Sequence, residues 1–169
     1  MEVQYIWISS VSHLEELAEI YKKTGLWKRL SGDFAVPDEF PQIRTQQSAI
    51  PLIYFSSGSL DLLPDKAVFK SFPQQGEQTV SSSVYKNIPQ DVCLDINYNS
   101  IVSIELYNYP QTNLKPLNIQ WIRILTKDHI LGGDFLLCAA ENTNPPKACD
   151  SSTQDLYKQL IDLTIDTIN

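Results

Sequence analysis

Residues 50–72 constrain the fold of this chain more than any other stretch, because two tight turns are specified within them. Ser57-Gly58 and Pro64-Asp65-Lys66 separate three apolar runs, which cover residues 50–55, 59–63 and 67–72. Glycine adopts positive φ without a Cβ clash, and proline fixes φ while donating no hydrogen bond to a sheet. The stretch therefore predicts three short strands in meander order, with a chain reversal at each turn.

Period-two alternation or a continuous apolar run predicts five further strands, at residues 3–8, 91–97, 101–107, 119–126 and 135–140. Within the third of these runs, we expect Val102, Ile104 and Leu106 to share one face of the sheet. The turn chemistry of residues 97–100 implies a hairpin between the strands on either side.

Two segments have the 3.6-residue apolar period of amphipathic helices. The first begins with the capping-box pattern Ser12-His13-Leu14-Glu15, and Gly25 is placed to end it. The second follows a linker that contains Pro145-Pro146, and Ser152 marks its start. Its main apolar positions are Leu156, Leu160, Leu163 and Thr167.

Successive hairpins closed by one amphipathic helix predict an α+β fold that is mainly antiparallel β. The terminal helix can bury its apolar face only across the open end of a bent sheet or barrel. The 169 residues are enough to bury a core without metal or disulfides, and 43% hydrophobic with 20% charged residues is ordinary for a soluble protein. The acidic start at Glu2 and the short first apolar run differ from a signal peptide and favour a cytoplasmic location.

Three segments and the final helix carry a resemblance to a known superfold. The segments are GSLDLLPDKAVFKSF (58–72), SIVSIELYN (100–108) and IQWIRILTKD (119–128). In this order the chain resembles the pleckstrin-homology-like superfold, especially its bacterial and GRAM-like branch, over residues 48–169. The resemblance implies a bent sheet or partly open barrel of about seven strands, capped by the C-terminal helix, that is a scaffold for lipid, peptide or protein binding. Residues 1–47 lie outside it as a strand-helix-loop extension.

The chain departs from the lipid-binding members of that superfold. Those members place Lys and Arg around the first strand turn, where they hold phosphate, whereas this chain has Ser56-Ser57-Gly58-Ser59 and no base there. The formal net charge of −7, from 20 acidic and 13 basic residues, repels phosphate backbones and anionic lipid. We therefore expect no nucleic acid partner, and membrane binding is disfavoured. The acidity either keeps the protein soluble or attracts a basic protein partner.

Residue types with catalytic or metal-binding chemistry are few and dispersed. The histidines are His13 and His129, and the three cysteines, Cys93, Cys138 and Cys149, form no CxxC pair. The sequence contains neither a nucleophile signature nor a Gly-rich phosphate loop. We expect a protein that is not an enzyme and holds no metal or cofactor, with cysteines that are reduced and mostly buried.

Aromatic residues in the predicted loops indicate where a partner binds. Loops cannot easily bury all of these side chains, and exposed aromatic residues with a polar rim are typical of protein-binding surfaces. The residues are Trp27, Phe34, Phe40, Tyr107 and Tyr109. The sequence predicts a bacterial, non-enzymatic protein-binding module, in one concrete form an immunity protein that neutralises a basic toxin. The alternative is a PH-like or GRAM-like domain that binds lipid or a membrane surface.

Overall fold

The computed structural model describes residues 2–12, 14–15, 56–72, 93–108, 119–128, 134–141 and 147–168. Its last element is a C-terminal helix, Asp150–Ile168, and a 3₁₀ turn lies at Tyr98–Ser100. The strands are β1 (Glu2–Ser10), β2 (Ser56–Leu62), β3 (Lys66–Ser71), β4 (Cys93–Asn97), β5 (Ile101–Asn108), β6 (Gln120–Thr126), β7 (Asp134–Glu141) and β8 (Lys147–Ala148). The predicted α+β class, a mainly antiparallel sheet capped by a C-terminal helix, is confirmed.

Neighbouring strands of the sheet are antiparallel, in the order β4-β3-β2-β1-β7-β6-β5, with β8 beside β7. β4 and β5 lie at opposite ends of this order, although only the Tyr98–Ser100 turn separates them in sequence. A flat sheet would place them about 29 Å apart, from six spacings of about 4.8 Å. A three-residue 3₁₀ turn rises only about 6 Å. The sheet therefore bends until its ends come close, and the hairpin predicted at residues 97–100 is wrong because β4 and β5 do not pair.

The main core lies on the inner face of the bent sheet. Alternate residues of β1 to β4, β6 and β7 supply it, together with Tyr98 of the 3₁₀ turn. Leu156 and Leu160, one helical turn apart, pack into it from the C-terminal helix. Burying each of these leucines stabilises the fold by about 1.5–3 kcal/mol, so burial sets the position of the helix. Among the described residues, no helix is both long enough and apolar enough to cross a bilayer.

The strand predicted at residues 3–8 joins the sheet as β1, which lies between β2 and β7. Ile6 and Ile8 are fully buried in the main core, and the alternating residues Trp7 and Ser9 are buried as well. Because successive side chains of a strand point to opposite faces, β1 is buried on both faces. β1 is thus a central strand, although it belongs to the predicted extension. The predicted boundary between residues 47 and 48 lies outside the described residues.

The second turn of the predicted meander is confirmed. β2 and β3 are antiparallel neighbours, and Leu63 N donates a hydrogen bond to Lys66 O at 2.9 Å across the Pro64-Asp65 turn. Proline suits this place because it has no N–H to contribute to the ladder. The strand predicted at residues 50–55 lies outside the described residues.

The first turn of the predicted meander is wrong. Ser57-Gly58 lies inside β2, where Gly58 pairs with Ile6 of β1 on one side and Ser71 of β3 on the other. A Cβ atom on Gly58 would lie 2.0 Å from the carbonyl oxygen of Lys70. Glycine is therefore required by a close approach of two backbones rather than by a turn.

The helix boundaries differ from the predicted ones at both helices. Helical residues begin at Val11, so Ser12 is already helical and the predicted capping-box register is wrong. The predicted end at Gly25 lies outside the described residues. The C-terminal helix begins at Asp150, two residues before Ser152, and β8 occupies part of the predicted linker. A local cap pattern does not place a helix end when strand pairing continues up to it.

The face predicted for β5 is only partly correct. Ile101 and Ile104 pack against the main core, whereas Val102 and Leu106 are 56% and 36% exposed. The pairing with β6 shifts register between Ile101 and Ser103, which is a β-bulge or similar irregularity. An extra residue in one strand interrupts the alternation, so Val102 does not follow the predicted pattern.

Candidate functional site

A cavity of about 390 Å³ lies between the end of β2 and the C-terminal helix. Leu62, Gln159, Asp162 and Leu163 line it, and we call these four residues the helix groove. Leu62 belongs to the main core and Leu163 packs against that core, so the floor of the groove is apolar. Ligand pockets have volumes of about 300–1,000 Å³, and a groove near the lower end has room for one or two side chains of a partner.

The period of the helix explains why these residues meet. Gln159, Asp162 and Leu163 are three and four positions apart, which places them on one face, and Asp166 continues that face by one turn. Leu160 lies on the adjacent face, buried in the core. The C-terminal helix is thus anchored by one face and lines the groove with the next.

The charge distribution of the helix makes the groove acidic. Its sequence contains four aspartates and one lysine, and that lysine, Lys158, lies 3.4 Å from a carboxylate oxygen of Asp155. Asp162 and Asp166 lie in the C-terminal half, where the last turn has no basic residue. The carbonyl end of a helix is negative, and a cation there stabilises it by about 0.3–1 kcal/mol. This helix lacks the stabilisation that a cation in its last turn would provide, and its aspartates place negative charge beside an apolar cavity.

Exposed and unsatisfied groups accompany the groove. Ile165, three residues from Asp162, is 53% exposed. The Oε1 atom of Gln159 is buried and accepts no hydrogen bond in the part of the chain that the structure describes. A buried acceptor left in this state costs about 1–3 kcal/mol. A donor that reached the groove could satisfy this oxygen after rotation of the Gln159 side chain.

The first turn of the helix is held between β6 and β7 by side-chain hydrogen bonds. Thr153 Oγ1 accepts from Ala139 N at 3.0 Å and donates to Cys149 O at 2.9 Å. Asp150 Oδ1 accepts from Gln120 N at 3.3 Å. The pairing of β6 and β7 extends only as far as Ile122 and Leu137, so Thr153 takes up a backbone group beyond the ladder. These hydrogen bonds fix the start of the helix to the sheet, and the groove residues follow in the middle of the same helix.

The predicted cysteines differ sharply in environment. All three are free of disulfides, but Cys93 is exposed, Cys149 is half-buried and only Cys138 is buried, so the prediction of mostly buried cysteines is wrong. Burial raises the pKa of the Cys138 thiol to about 12. Hydroxyls of Ser151 and Ser152, 3.4 and 3.0 Å from the Cys149 sulfur, lower the pKa of that thiol. Cys149 directly precedes the helix, where its carbonyl accepts the first intrahelical bond.

Tyr107 is the one predicted partner-binding residue that falls within the described residues. It is half-buried on β5, and the guanidinium carbon of Arg123 lies 5.2 Å from its ring centroid. Arg123 also pairs with Glu105 at 3.2 Å and, more closely, with Asp134. Burial raises the pKa of the Tyr107 hydroxyl, with Arg123 acting in the opposite direction. The arrangement holds the ring against the sheet by a cation–π contact.

The other predicted partner-binding residues stay predictions. Trp27, Phe34, Phe40 and Tyr109 lie outside the described residues. Sequence reasoning missed the helix groove, because Leu62 and the helix residues are far apart in the chain. A signal was available in Asp162 and Asp166, which occupy the helix end that favours basic residues.

Metal-binding residue types are dispersed in the described part of the chain. Within the described ranges, no three His, Cys, Asp or Glu side chains are grouped so that they could hold a metal ion. Comparison with known protein families, curated proteins and solved structures finds no match to this chain.

Proposed function

We propose that this chain is a non-enzymatic protein-binding module whose helix groove binds a basic protein. The observation that supports it is an apolar cavity of about 390 Å³ with Asp162 in its lining, on a helix that also carries the exposed residue Ile165. Protein interfaces combine an apolar centre, which supplies affinity, with a polar rim, which supplies specificity. A partner that places an apolar side chain in the groove and lysine or arginine beside Asp162 and Asp166 matches this surface.

The concrete form of the proposal is a bacterial immunity protein on a PH-like scaffold that covers a basic toxin. The net charge of −7 supports a basic partner, because opposite charge accelerates encounter and disfavours acidic competitors. One sequence argument against lipid binding no longer applies, since Ser56-Ser57-Gly58-Ser59 lies in β2 rather than in a turn. The acidity of the groove still disfavours anionic lipid, so protein binding is the function we propose.

Titration calorimetry with the purified product of the adjacent gene tests this proposal. Asp162→Lys reverses the charge at the groove, and we expect it to weaken binding at least tenfold, with the wild-type affinity falling as salt rises. Asp155→Lys is the matched control, because this exposed aspartate lies on the same helix but does not line the groove. We expect the control to change the affinity less than threefold.

Three results would overturn parts of the proposal. If the wild-type chain does not bind the product of the adjacent gene, the immunity form is wrong. If the two variants weaken binding equally, the partner does not use the helix groove. If the wild-type chain co-sediments with vesicles that contain anionic lipid, and this binding weakens with salt, the lipid-binding alternative takes the place of protein binding.

A further inference from the structure

Two apolar side chains and two hydrogen-bond acceptors line the helix groove together. The apolar pair is Leu62 of β2 and Leu163 of the helix, and the acceptors are the carboxamide oxygen of Gln159 and the carboxylate of Asp162. The oxygen of Gln159 is buried and accepts no hydrogen bond from the described residues, whereas Asp162 is exposed. The groove thus combines an apolar wall, a buried neutral acceptor and a negative charge nearer to solvent.

The basic residues nearest to the groove in sequence contact other carboxylates. Lys158 Nζ lies 3.4 Å from a carboxylate oxygen of Asp155, and Lys66 Nζ lies 2.6 Å from one of Asp95. Neither lysine lines the groove. A buried acceptor without a donor is unfavourable, so a donor supplied by another molecule would gain a hydrogen bond that the described part of the chain does not make.

We propose that the partner residue that enters the helix groove is an arginine, with its methylene stem along Leu62 and Leu163 and its guanidinium donating to Gln159 and Asp162. This inference rests on the proposed function and deepens it, because one side chain supplies both the apolar surface and the positive charge that the groove requires. Residues three positions apart on a helix have Cβ atoms about 5–6 Å from each other. A guanidinium has N–H donors on several sides of a planar fork and can therefore bridge two acceptors at this spacing.

Other side chains match the groove less completely. Lysine carries a compact ammonium that is more strongly hydrated than a guanidinium, so bringing it against Leu62 and Leu163 costs more. An apolar side chain would cover the two leucines but leave the oxygen of Gln159 without a donor and remove water from Asp162. Arginine is the side chain that offers an apolar stem, several donors and a weakly hydrated positive charge together.

Titration of the isotope-labelled full chain with butylguanidinium, an analogue of the arginine side chain, tests the inference without a protein partner. The backbone amide signals of Leu62, Asp162 and Leu163 report binding in heteronuclear NMR spectra. We expect these signals to shift saturably, with an affinity at least about fivefold above that of butylammonium. Butanol, which has the apolar stem without the charge, should bind more weakly still, and added salt should weaken the binding of the two cations only.

Two variants with matched controls locate the binding site. Gln159→Leu removes the buried acceptor but keeps a side chain of similar size, so it should weaken the binding of butylguanidinium at least about fivefold. Gln154→Leu changes an exposed glutamine of the same helix that does not line the groove, and it should leave binding unchanged. Asp162→Asn removes the charge with little change of shape and should weaken binding at least about tenfold. Asp128→Asn makes the same change at an exposed position outside the groove and should have an effect of less than about twofold.

The amide spectrum of each free variant checks that it is folded. We expect Gln159→Leu to be as stable as wild type or more stable, because it removes a buried polar atom that has no partner among the described residues. The proposed arginine is refuted if butylguanidinium shifts none of the groove signals, if butylammonium binds as tightly, or if the control variants weaken binding as much as the groove variants.

This result is separable from the test of the proposed function. If the product of the adjacent gene binds and depends on Asp162 while butylguanidinium does not bind, the protein-binding function stands and the proposed arginine is wrong. If butylguanidinium binds in the groove and that gene product does not bind, the proposed arginine stands and the immunity form is wrong.

Discussion

Gly58→Ala tests whether the close approach of β2 and β3 limits the stability of the fold. The Cβ atom of an alanine would lie 2.0 Å from the carbonyl oxygen of Lys70, 2.7 Å from its carbonyl carbon and 2.8 Å from the Cα atom of Ser71. Ordinary van der Waals contact begins near 3.4 Å, so the shortest contact is about 1.4 Å too close. All three neighbours are backbone atoms, which cannot move aside by changing a rotamer.

The cost follows from the position of Gly58 in the sheet. Because Gly58 pairs with Ile6 of β1 as well as with Ser71 of β3, separating β2 from β3 strains two ladders at once. Inserting a methyl group into a packed site costs about 1–3 kcal/mol, and a site bounded by backbone lies at the upper end. We therefore expect Gly58→Ala to lower the free energy of unfolding by about 3 kcal/mol. For a chain of this length that corresponds to a fall in Tm of about 6–12 °C.

Urea denaturation followed by circular dichroism measures this difference. Ser59→Ala is the matched control, since Ser59 is the next residue of the same strand and is half-buried. We expect the control to change the free energy of unfolding by less than about 0.5 kcal/mol. A loss below about 1 kcal/mol for Gly58→Ala would refute the reasoning, because the backbones would then have moved apart at little cost.

Two further predictions concern buried hydroxyls, and the same denaturation assay checks both. Thr153→Val leaves the N–H of Ala139 without its acceptor and should lower the free energy of unfolding by about 1–3 kcal/mol. Thr167→Val is the control and should cost less, because the Thr167 hydroxyl donates only to a carbonyl of its own helix. Equal losses would contradict this prediction. Tyr98→Phe removes a buried hydroxyl that has no partner among the described residues, so at neutral pH stability should be unchanged or higher. Burial raises the pKa of Tyr98 from 10.0 to about 12, so between pH 10 and 12 the unfolded chain releases this proton while the folded chain keeps it. The free energy of unfolding of wild type should therefore fall more steeply over this range than that of Tyr98→Phe. Parallel falls would contradict this prediction.

Local chemistry made several elements predictable. The turn between β2 and β3 follows from Pro64, which can neither continue a ladder nor leave its φ range. In β4 the predicted alternation is observed, with Ile96 buried and Asp95 exposed on either side of the strand. The C-terminal helix follows from its apolar period, and the buried residues Leu156 and Leu160 are among those predicted. Each of these signals acts over a few neighbouring residues, so the sequence carries it directly.

Other features depend on which segments become neighbours. Gly58 has the local signature of a turn, but the requirement for glycine comes from Lys70 in the adjacent strand. β1 reads as part of a separate extension, yet Ile6 and Ile8 occupy the middle of the core. The residues of a strand do not by themselves specify its neighbour, because any two antiparallel strands can form the same pattern of backbone hydrogen bonds.

The sequence by itself determined that this chain forms an antiparallel α+β domain that ends in a core-packed helix, and that its surface is acidic. These properties follow from residue period, turn residues and charge, all of which can be counted along the chain. Only the tertiary structure decided that Leu62 and Asp162 line one groove and that Val102 lies on β5, which ends the order of the described strands. The physical reason is that bending the sheet brings together segments distant in sequence, and a surface exists only where such segments meet.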